Sequence, residues 1–333
     1  MKSKKLTQIV ALAMVLVLAA LAFTGCQPAS KEPEEGMTIR LAGLKGPTTM
    51  GMVKLLDDAA QGKTFNTYEF TMGAAADEIT PKLIKGELDI AAVPANLASV
   101  LYNNTDGAVQ ILAVNTLGVI YVVEKGGETV QDLKDLKGKT IYATGKGSTP
   151  EYALRYLLSQ AGLDPDKDVK MEWKSEPTEV VAVLSQSDTG VAMLPQPFVT
   201  VAQGKVQGLR VALDLTAEWD ALDNGSQFLT GVLVVRKAFA EENPAHLAKF
   251  LEEYEASTEW INANPADGAK LVEANGIVAA AVAEKAIPYC NIVCLHGEEM
   301  KGSAAGYLQT LYDQNPKAVG GKLPGDDFYF ISK

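Results

Sequence analysis

The residue types able to do chemistry in this chain are few, and their spacing points to binding rather than to catalysis. Two turns stand out, Lys45-Gly46-Pro47-Thr48-Thr49-Met50 and Lys146-Gly147-Ser148-Thr149-Pro150. Each follows a short apolar run, at 38–42 and 140–143, and each precedes a stretch of helical periodicity. A strand that feeds a helix in this way leaves the first N–H groups of the helix without internal partners, beside small polar side chains. That arrangement can cradle a small polar molecule. Nucleophile, acid–base and metal signatures are absent from the sequence. The two histidines, His246 and His296, sit in no hydrolase-like or metal-like pattern, and there is no G-x-S-x-G, H-E-x-x-H or P-loop. His246 reads as a solvated helix residue. Cys290 and Cys294 leave two readings open, a local disulfide or two free buried thiols. A zinc site there would need two more ligands, and only His296 is near.

The elements that must position the turns read as alternating strands and helices, an α/β pattern. In the first unit Ile39, Leu41 and Ala42 form a buried strand. Thr48 or Thr49 is placed to cap a helix whose Met52, Leu55, Leu56 and Ala59 share a face. A second strand is expected at 67–72, and then a helix capped by Asp77 and carrying Ile79, Leu83 and Ile84. A buried strand at 88–93 runs into Pro94-Ala95-Asn96.

Displaced by 101 positions, the same order returns. Lys146-Gly147-Ser148-Thr149 falls on Lys45-Gly46-Pro47-Thr48, Thr178 on Asp77 as the next cap, and Val191-Ala192-Met193-Leu194-Pro195 on Ile90-Ala91-Ala92-Val93-Pro94. Pro150 sits at the first position of its helix, where a missing N–H is harmless. Two more segments resemble each other, Gly118-Val119-Ile120-Tyr121-Val122-Val123 and Gly231-Val232-Leu233-Val234-Val235. They flank the second unit, as two strands crossing between two lobes would. Beyond Lys237 helices begin at Asn243-Pro244 and Asn264-Pro265, another carries Met300, Tyr307, Leu308 and Leu311, and the tail Phe328-Tyr329-Phe330 docks on a core.

The chain has 333 residues, a formal charge of −11 and 47% hydrophobic residues, which suits two globular domains. An acidic body without a basic stripe argues against nucleic acid as a partner. The first residues carry Lys2, Lys4 and Lys5 ahead of an apolar run at 9–23, too short to span a bilayer and suited to a signal peptide. The run ends in Phe23-Thr24-Gly25-Cys26, which resembles a bacterial lipobox, with Phe23 where Leu is usual. The polar, proline-containing stretch after Cys26 reads as a tether. The expected boundaries are a signal peptide at 1–25, a lipidated tether at 26–37, one lobe at 38–117 plus 229–333, and a second at 118–228.

In a doubly wound sheet, ligands sit beyond the carboxyl ends of the strands. This places four loops around one cleft: 45–50, 94–97, 146–152 and 195–198. The expected ligand-binding residues are Lys45, Pro47, Thr48, Thr49, Met50, Pro94, Asn96, Ser148, Thr149, Tyr152, Gln196 and Phe198. Asn115, Thr116 and Gln227, which precede the two linking strands, join them. No catalytic residue, metal or cofactor is expected.

The lipobox, the Lys-Gly-Pro-Thr-Thr-Met turn, Gly86-Glu87-Leu88-Asp89-Ile90-Ala91 before Pro94-Ala95-Asn96, and Asp135-Leu136-Lys137-Gly138-Lys139-Thr140-Ile141 together resemble a substrate-binding lipoprotein of a bacterial ABC importer. The nearest group is that of the nitrate, taurine and sulfonate binders and the thiamine-pyrimidine-precursor binders. The resemblance implies a type II periplasmic-binding-protein-like fold, two doubly wound lobes joined by two crossing strands. It also implies a monomer outside the cytoplasm, anchored to the membrane by lipid on Cys26, and delivery of a small molecule to a permease with its ATPase.

The four arginines, Arg40, Arg155, Arg210 and Arg236, all fall outside the cleft loops, whereas Tyr152, Phe198, Phe228, Tyr102 and Tyr121 lie near them in sequence. Lys45 and Lys146 could serve an anion, but the contrast favours a neutral or weakly charged ligand, for example a heteroaromatic one such as a pyrimidine precursor. The alternatives are an anion of the nitrate or sulfonate kind, a pyrimidine-synthase-like enzyme, and a sensory lipoprotein.

Overall fold

The fold follows from where the apolar strands find hydrogen-bonding partners. In the computed structural model, residues 35–331 are described. The expected signal peptide, and the tether with Cys26 up to residue 34, lie outside them. Eleven strands are present among the described residues: β1 (Thr38–Leu44), β2 (Thr67–Gly73), β3 (Ile90–Pro94), β4 (Val109–Leu117), β5 (Ile120–Lys125), β6 (Thr140–Ala143), β7 (Lys170–Trp173), β8 (Gly190–Pro195), β9 (Leu209–Asp214), β10 (Leu229–Arg236) and β11 (Ile292–Leu295). They form two sheets, ordered β2-β1-β3-β10-β4-β11 and β7-β6-β8-β5-β9.

The two sheets repeat one plan. In each, a parallel trio is extended by a strand that runs antiparallel to both its neighbours, β10 in the first sheet and β5 in the second. Each of these strands is supplied by a chain that has just come from the other sheet. The passage from β4 to β5 takes only Gly118 and Val119, while the return from β9 to β10 includes the helix Leu215–Asp220. The two linking segments pack on each other so closely that a Cβ on Gly118 would collide with Thr216 Oγ1 and lie 2.8 Å from Phe228.

The structural repeat departs from the sequence match at one place. Pairing sets Ile120 against Pro195 and Gly231 against Pro94, so the antiparallel strands correspond two residues away from their best sequence alignment. Both strands are buried along nearly their whole length, and an apolar run without alternation carries no register.

Strand residues alternate between two cores. Ile39, Leu41, Ile90, Ala92, Leu233 and Val235 face the helices Val53–Ala60 and Pro244–Ala263, while Ala91, Val93, Val232 and Val234 face the opposite core with Met300, Tyr307, Leu308 and Leu311 of the helix Gly297–Gln314. That second core continues into the other sheet through Ile120, Val122, Ile141 and Met193. Four aromatic rings mark the passage. Trp219 stacks on Phe228 at 5.2 Å, and Tyr156 and Tyr307 lie 4.8 and 5.5 Å from Trp219. The tail docks as expected, with Phe328 fully buried and Phe330 N donating to Ile111 O.

Three expected caps take other forms. The first turn begins at Gly46, and its helix breaks into Pro47–Met50 and Val53–Ala60; no side chain caps either piece. Thr49 Oγ1 instead donates back to Leu44 O at 2.5 Å. The helices expected to start at Asp77 and Thr178 begin after Ala75 and Glu176, which leaves Asp77 and Thr178 inside their first turns.

Asp89 ties the first sheet together. Its carboxylate, 3% exposed, accepts from Arg40 N, Nε and Nη2 and from Arg236 Nη2, so β1, β3 and β10 meet at one charge cluster. Burial pushes the carboxyl up, but the hydrogen bonds from Arg40 and Arg236 outweigh it and hold its pKa below the ordinary value. Breaking a buried cluster of this kind costs about 3–5 kcal/mol, and Asp89→Ala is expected to lose that much in urea unfolding at neutral pH. A lowered folded pKa stabilises the protein above the unfolded value and is lost as pH falls through the folded one. The difference between wild type and Asp89→Ala is therefore expected to shrink below about pH 4.

Candidate functional site

Two of the four expected loops touch, those at 94–97 and 146–152, and the 45–50 turn is held within its own sheet; the contacts are made by carboxamides and hydroxyls. On the first lobe, Asn115 Nδ2 at the end of β4 donates to Thr48 O at 2.9 Å, and Thr116 Oγ1 donates to Asn115 Oδ1 at 3.1 Å. Gly231 of β10 lies against this pair, and a Cβ there would be 2.5 Å from Thr48 Cγ2 and 2.6 Å from Asn115 Oδ1. Across the cleft, Thr149 Oγ1 at the start of the helix Thr149–Gln160 donates to Asn96 Oδ1 at 3.3 Å. Asn96 is fixed from behind by donating Nδ2 to Ala318 O at 2.9 Å. All of these residues are buried.

Other expected site residues stand apart. Lys45 is exposed, as is Lys146. Ser148 Oγ donates locally to Gly145 O, and Gln196 Oε1 accepts from Thr200 N and Oγ1 within its own turn. Gln227 is exposed and accepts from Ser303 Oγ, while Pro47 is buried and Pro94 half-buried. Met50 and Phe198 are corrections. Met50 packs with Val53, Ile261 and Ile292, and Phe198 with Leu194 and Val199 beneath the second sheet, so both side chains belong to apolar cores.

The aromatic residues near the loops in sequence are mostly spent as well. Phe228 stacks on Trp219, Tyr121 lies in the core with Phe198, and Tyr102 OH donates to Asp327 beside Phe328. Tyr152 remains half-buried against the main core, where burial pushes its hydroxyl pKa up.

The arginines are also committed elsewhere. Arg40 and Arg236 hold Asp89, Arg155 bridges Glu151 and Asp166, and Arg210 pairs with the buried Glu124. Cys290 and Cys294 are free thiols, each pushed up to about 12 by burial. Among the described residues no group of three or more His, Cys, Asp or Glu could hold a metal, and no helix is long and apolar enough to cross a membrane.

Two tyrosines complete the locus and were not legible as site residues. Tyr307 OH faces Thr149 and Tyr254 OH faces Asn115, and both tyrosines are fully buried. Thr48 Oγ1 and Thr230 Oγ1, on either side of Gly231, are buried and unpartnered. Such a group costs about 1–3 kcal/mol when nothing pairs with it. The available signal was the choice of Tyr rather than Phe on an apolar helix face, since a buried phenol needs a partner.

A model of the NMT1-like family matches residues 48–276. Among curated proteins nothing matches. Solved structures do match. An ABC transporter protein from Parabacteroides distasonis is 25% identical with a TM-score of 0.74, over 89% of this chain and 99% of that one. The ligand-binding component of an ABC-type import system from Staphylococcus aureus, solved with zinc bound, is 16% identical with a TM-score of 0.71, over 89% and 97%. The periplasmic aliphatic sulphonate binding protein SsuA from Escherichia coli is 17% identical with a TM-score of 0.70, over 89% and 92%. The likeness to the last two is one of fold.

The close approach at Gly231 yields a test of the site's packing. A methyl group there must displace the Thr48 turn or Asn115, and overpacking of this sort costs about 1–3 kcal/mol. Gly231→Ala is expected to lower the thermal midpoint by several degrees, whereas Gly204→Ala, with open space around it, should leave the midpoint within about a degree.

Proposed function

The chain belongs to the NMT1-like family, and we propose on that basis that it is the substrate-binding component of an ABC importer. In this reading it captures a small molecule between its two sheets and hands it to a membrane permease driven by an ATPase. The observation that carries the reading is the contact of Thr149 with Asn96, which joins the turns after β6 and β3 at the carboxyl ends of their strands. Ligands bind at such ends in doubly wound sheets, and two lobes linked by short segments can close over them. The open start of the helix Thr149–Gln160 supplies N–H groups, while Asn96, Asn115 and Thr116 supply fixed polar side chains. The lipobox ending in Cys26 supports an anchor on the outer face of the membrane, which would keep the binding protein beside its permease.

The ligand in this reading is uncharged. Burying a sulfonate or nitrate without a cation carries a desolvation penalty that helix ends offset only in part, at about 0.3–1 kcal/mol each. Arginine is the usual partner for such anions, and all four arginines hold carboxylates in ion pairs. The heteroaromatic part of the expectation is narrowed to a ring that could rest on Tyr152, because Phe198 and Phe228 are in cores.

Isothermal titration separates the two ligand classes. Cytosine or a hydroxymethylpyrimidine is expected to bind with one site per chain, and taurine, ethanesulfonate and nitrate are expected to give no heat. Saturable binding of a sulfonate would overturn the uncharged reading.

A further inference from the structure

A strand that opens on glycine leaves a gap in the face of its sheet, and the groups around the gap decide what fits there. Gly190 is the first residue of β8 and pairs with Lys125 of β5. On the other side, the parallel pairing of Ile141 with Val191 sets Thr140 of β6 beside it. Here lies a cavity of about 400 Å³ whose lining includes Lys125, Gly126, Lys139, Thr140, Tyr142 and Gly190. It opens at the amino ends of β6 and β8, whereas the turns at 146–152 and 195–198 follow their carboxyl ends. The cavity is therefore a place apart from the proposed ligand cleft.

In a chain of formal charge −11, three half-buried lysines gather at this point. Lys125 Nζ donates to Leu184 O at 2.9 Å and to Ser185 O at 3.5 Å, near the end of the helix Pro177–Gln186. Lys139 Nζ donates to Thr129 Oγ1 at 2.7 Å, and Lys174 Nζ lies 5.8 Å from the centre of the Tyr142 ring. Among the described residues none of the three forms an ion pair. The neighbouring acids are committed to other groups. Glu124, which also lines the cavity, accepts from Arg210 Nη2 at 2.6 Å and from the N–H groups of Thr129 and Val130. Asp135 accepts from Gln131 N and Asp132 N, and Glu172 pairs with Lys170. With Glu124 balanced by Arg210, the charge left over at the cavity is positive.

We infer that this cavity binds a phosphomonoester group, with Lys125 and Lys139 donating to its oxygens and Tyr142 bordering its organic stem. An ammonium carries three donors and serves phosphate as a point charge. Lys139 spends one of its donors on a neutral hydroxyl, and Lys125 spends its own on neutral carbonyls. Two cations suit a group that carries roughly two negative charges near neutral pH. The carrier of the phosphate is a small soluble ester or the headgroup of phosphatidic acid. The site stands whatever the cleft between the sheets holds.

Titration calorimetry of the full chain with glycerol 3-phosphate, and with glycerol as the uncharged control, tests the assignment. The ester is expected to bind at one site per chain, more weakly as salt is added, and glycerol to give no heat. Affinity is expected to fall about tenfold or more in Lys125→Gln and in Lys139→Gln. It should be retained in Lys139→Arg, which keeps the charge, and in Thr149→Val, which alters only the turn between the sheets. Should Lys125→Gln unfold through its lost hold on the helix, Lys139→Gln carries the comparison, because its partner Thr129 is exposed. Sedimentation with phosphatidylcholine vesicles, with and without phosphatidic acid, separates the two carriers. Extra pelleting that phosphatidic acid causes and Lys139→Gln removes assigns the site to the headgroup, and its absence beside ester binding assigns it to a soluble ester. Ester affinity unchanged in both lysine variants overturns the inference, as does its loss in Thr149→Val. Neither ester binding nor extra pelleting in the wild type overturns it too.

Discussion

A strand cannot leave one edge of its hydrogen-bonding groups unpaired in a buried position, and that requirement organises the whole chain. β3 and β8 each end a parallel trio and expose such an edge to the interior. Each edge is filled by an antiparallel strand that arrives from the other half of the molecule, β10 for β3 and β5 for β8. The chain must therefore pass between the sheets twice. Both passages lie at the carboxyl ends of the parallel strands, and there Thr149 of the second sheet's turn meets Asn96, which follows β3 of the first. The charge cluster at Asp89, which holds Arg40 and Arg236, fixes the opposite end of the same three strands.

The double crossing sets the Thr149–Asn96 and Asn115–Thr48 contacts near the ends of the strands, where the paired groups are carboxamides, hydroxyls and a backbone carbonyl. The acidic character of the chain resides on its surface, and its arginines neutralise Asp89, Glu151, Asp166 and Glu124. The apolar core that runs between the sheets passes through the packed rings of Tyr156, Trp219, Phe228 and Tyr307.

Much of this was legible in the sequence, for local reasons. The turn motifs, the 101-residue displacement and the runs into Pro94 and Pro195 are written in Gly, Pro, Thr and apolar periodicity, which act within a few residues. The misreadings share a cause: they needed tertiary contacts. Thr49 prefers the carbonyl of Leu44 to a helix start, and the register of β5 and β10 is hidden because both faces are apolar. Phe198 lies beside a cleft loop in sequence, yet its ring turns into the core below. Tyr307 reads as a core residue of a distant helix, yet its hydroxyl reaches the seam. Proximity in sequence picked out the loops, and only tertiary burial shows which of their side chains turn into cores.

In the proposed function, one small molecule is held between the two sheets by both sets of turns. Amide hydrogen exchange on the full chain measures it most directly, comparing the protein alone with the protein in saturating cytosine or hydroxymethylpyrimidine. Slowed exchange at both 46–51 and 147–152, in the bound form alone, is the predicted result. Protection confined to one sheet, or located away from both turns, would contradict the account.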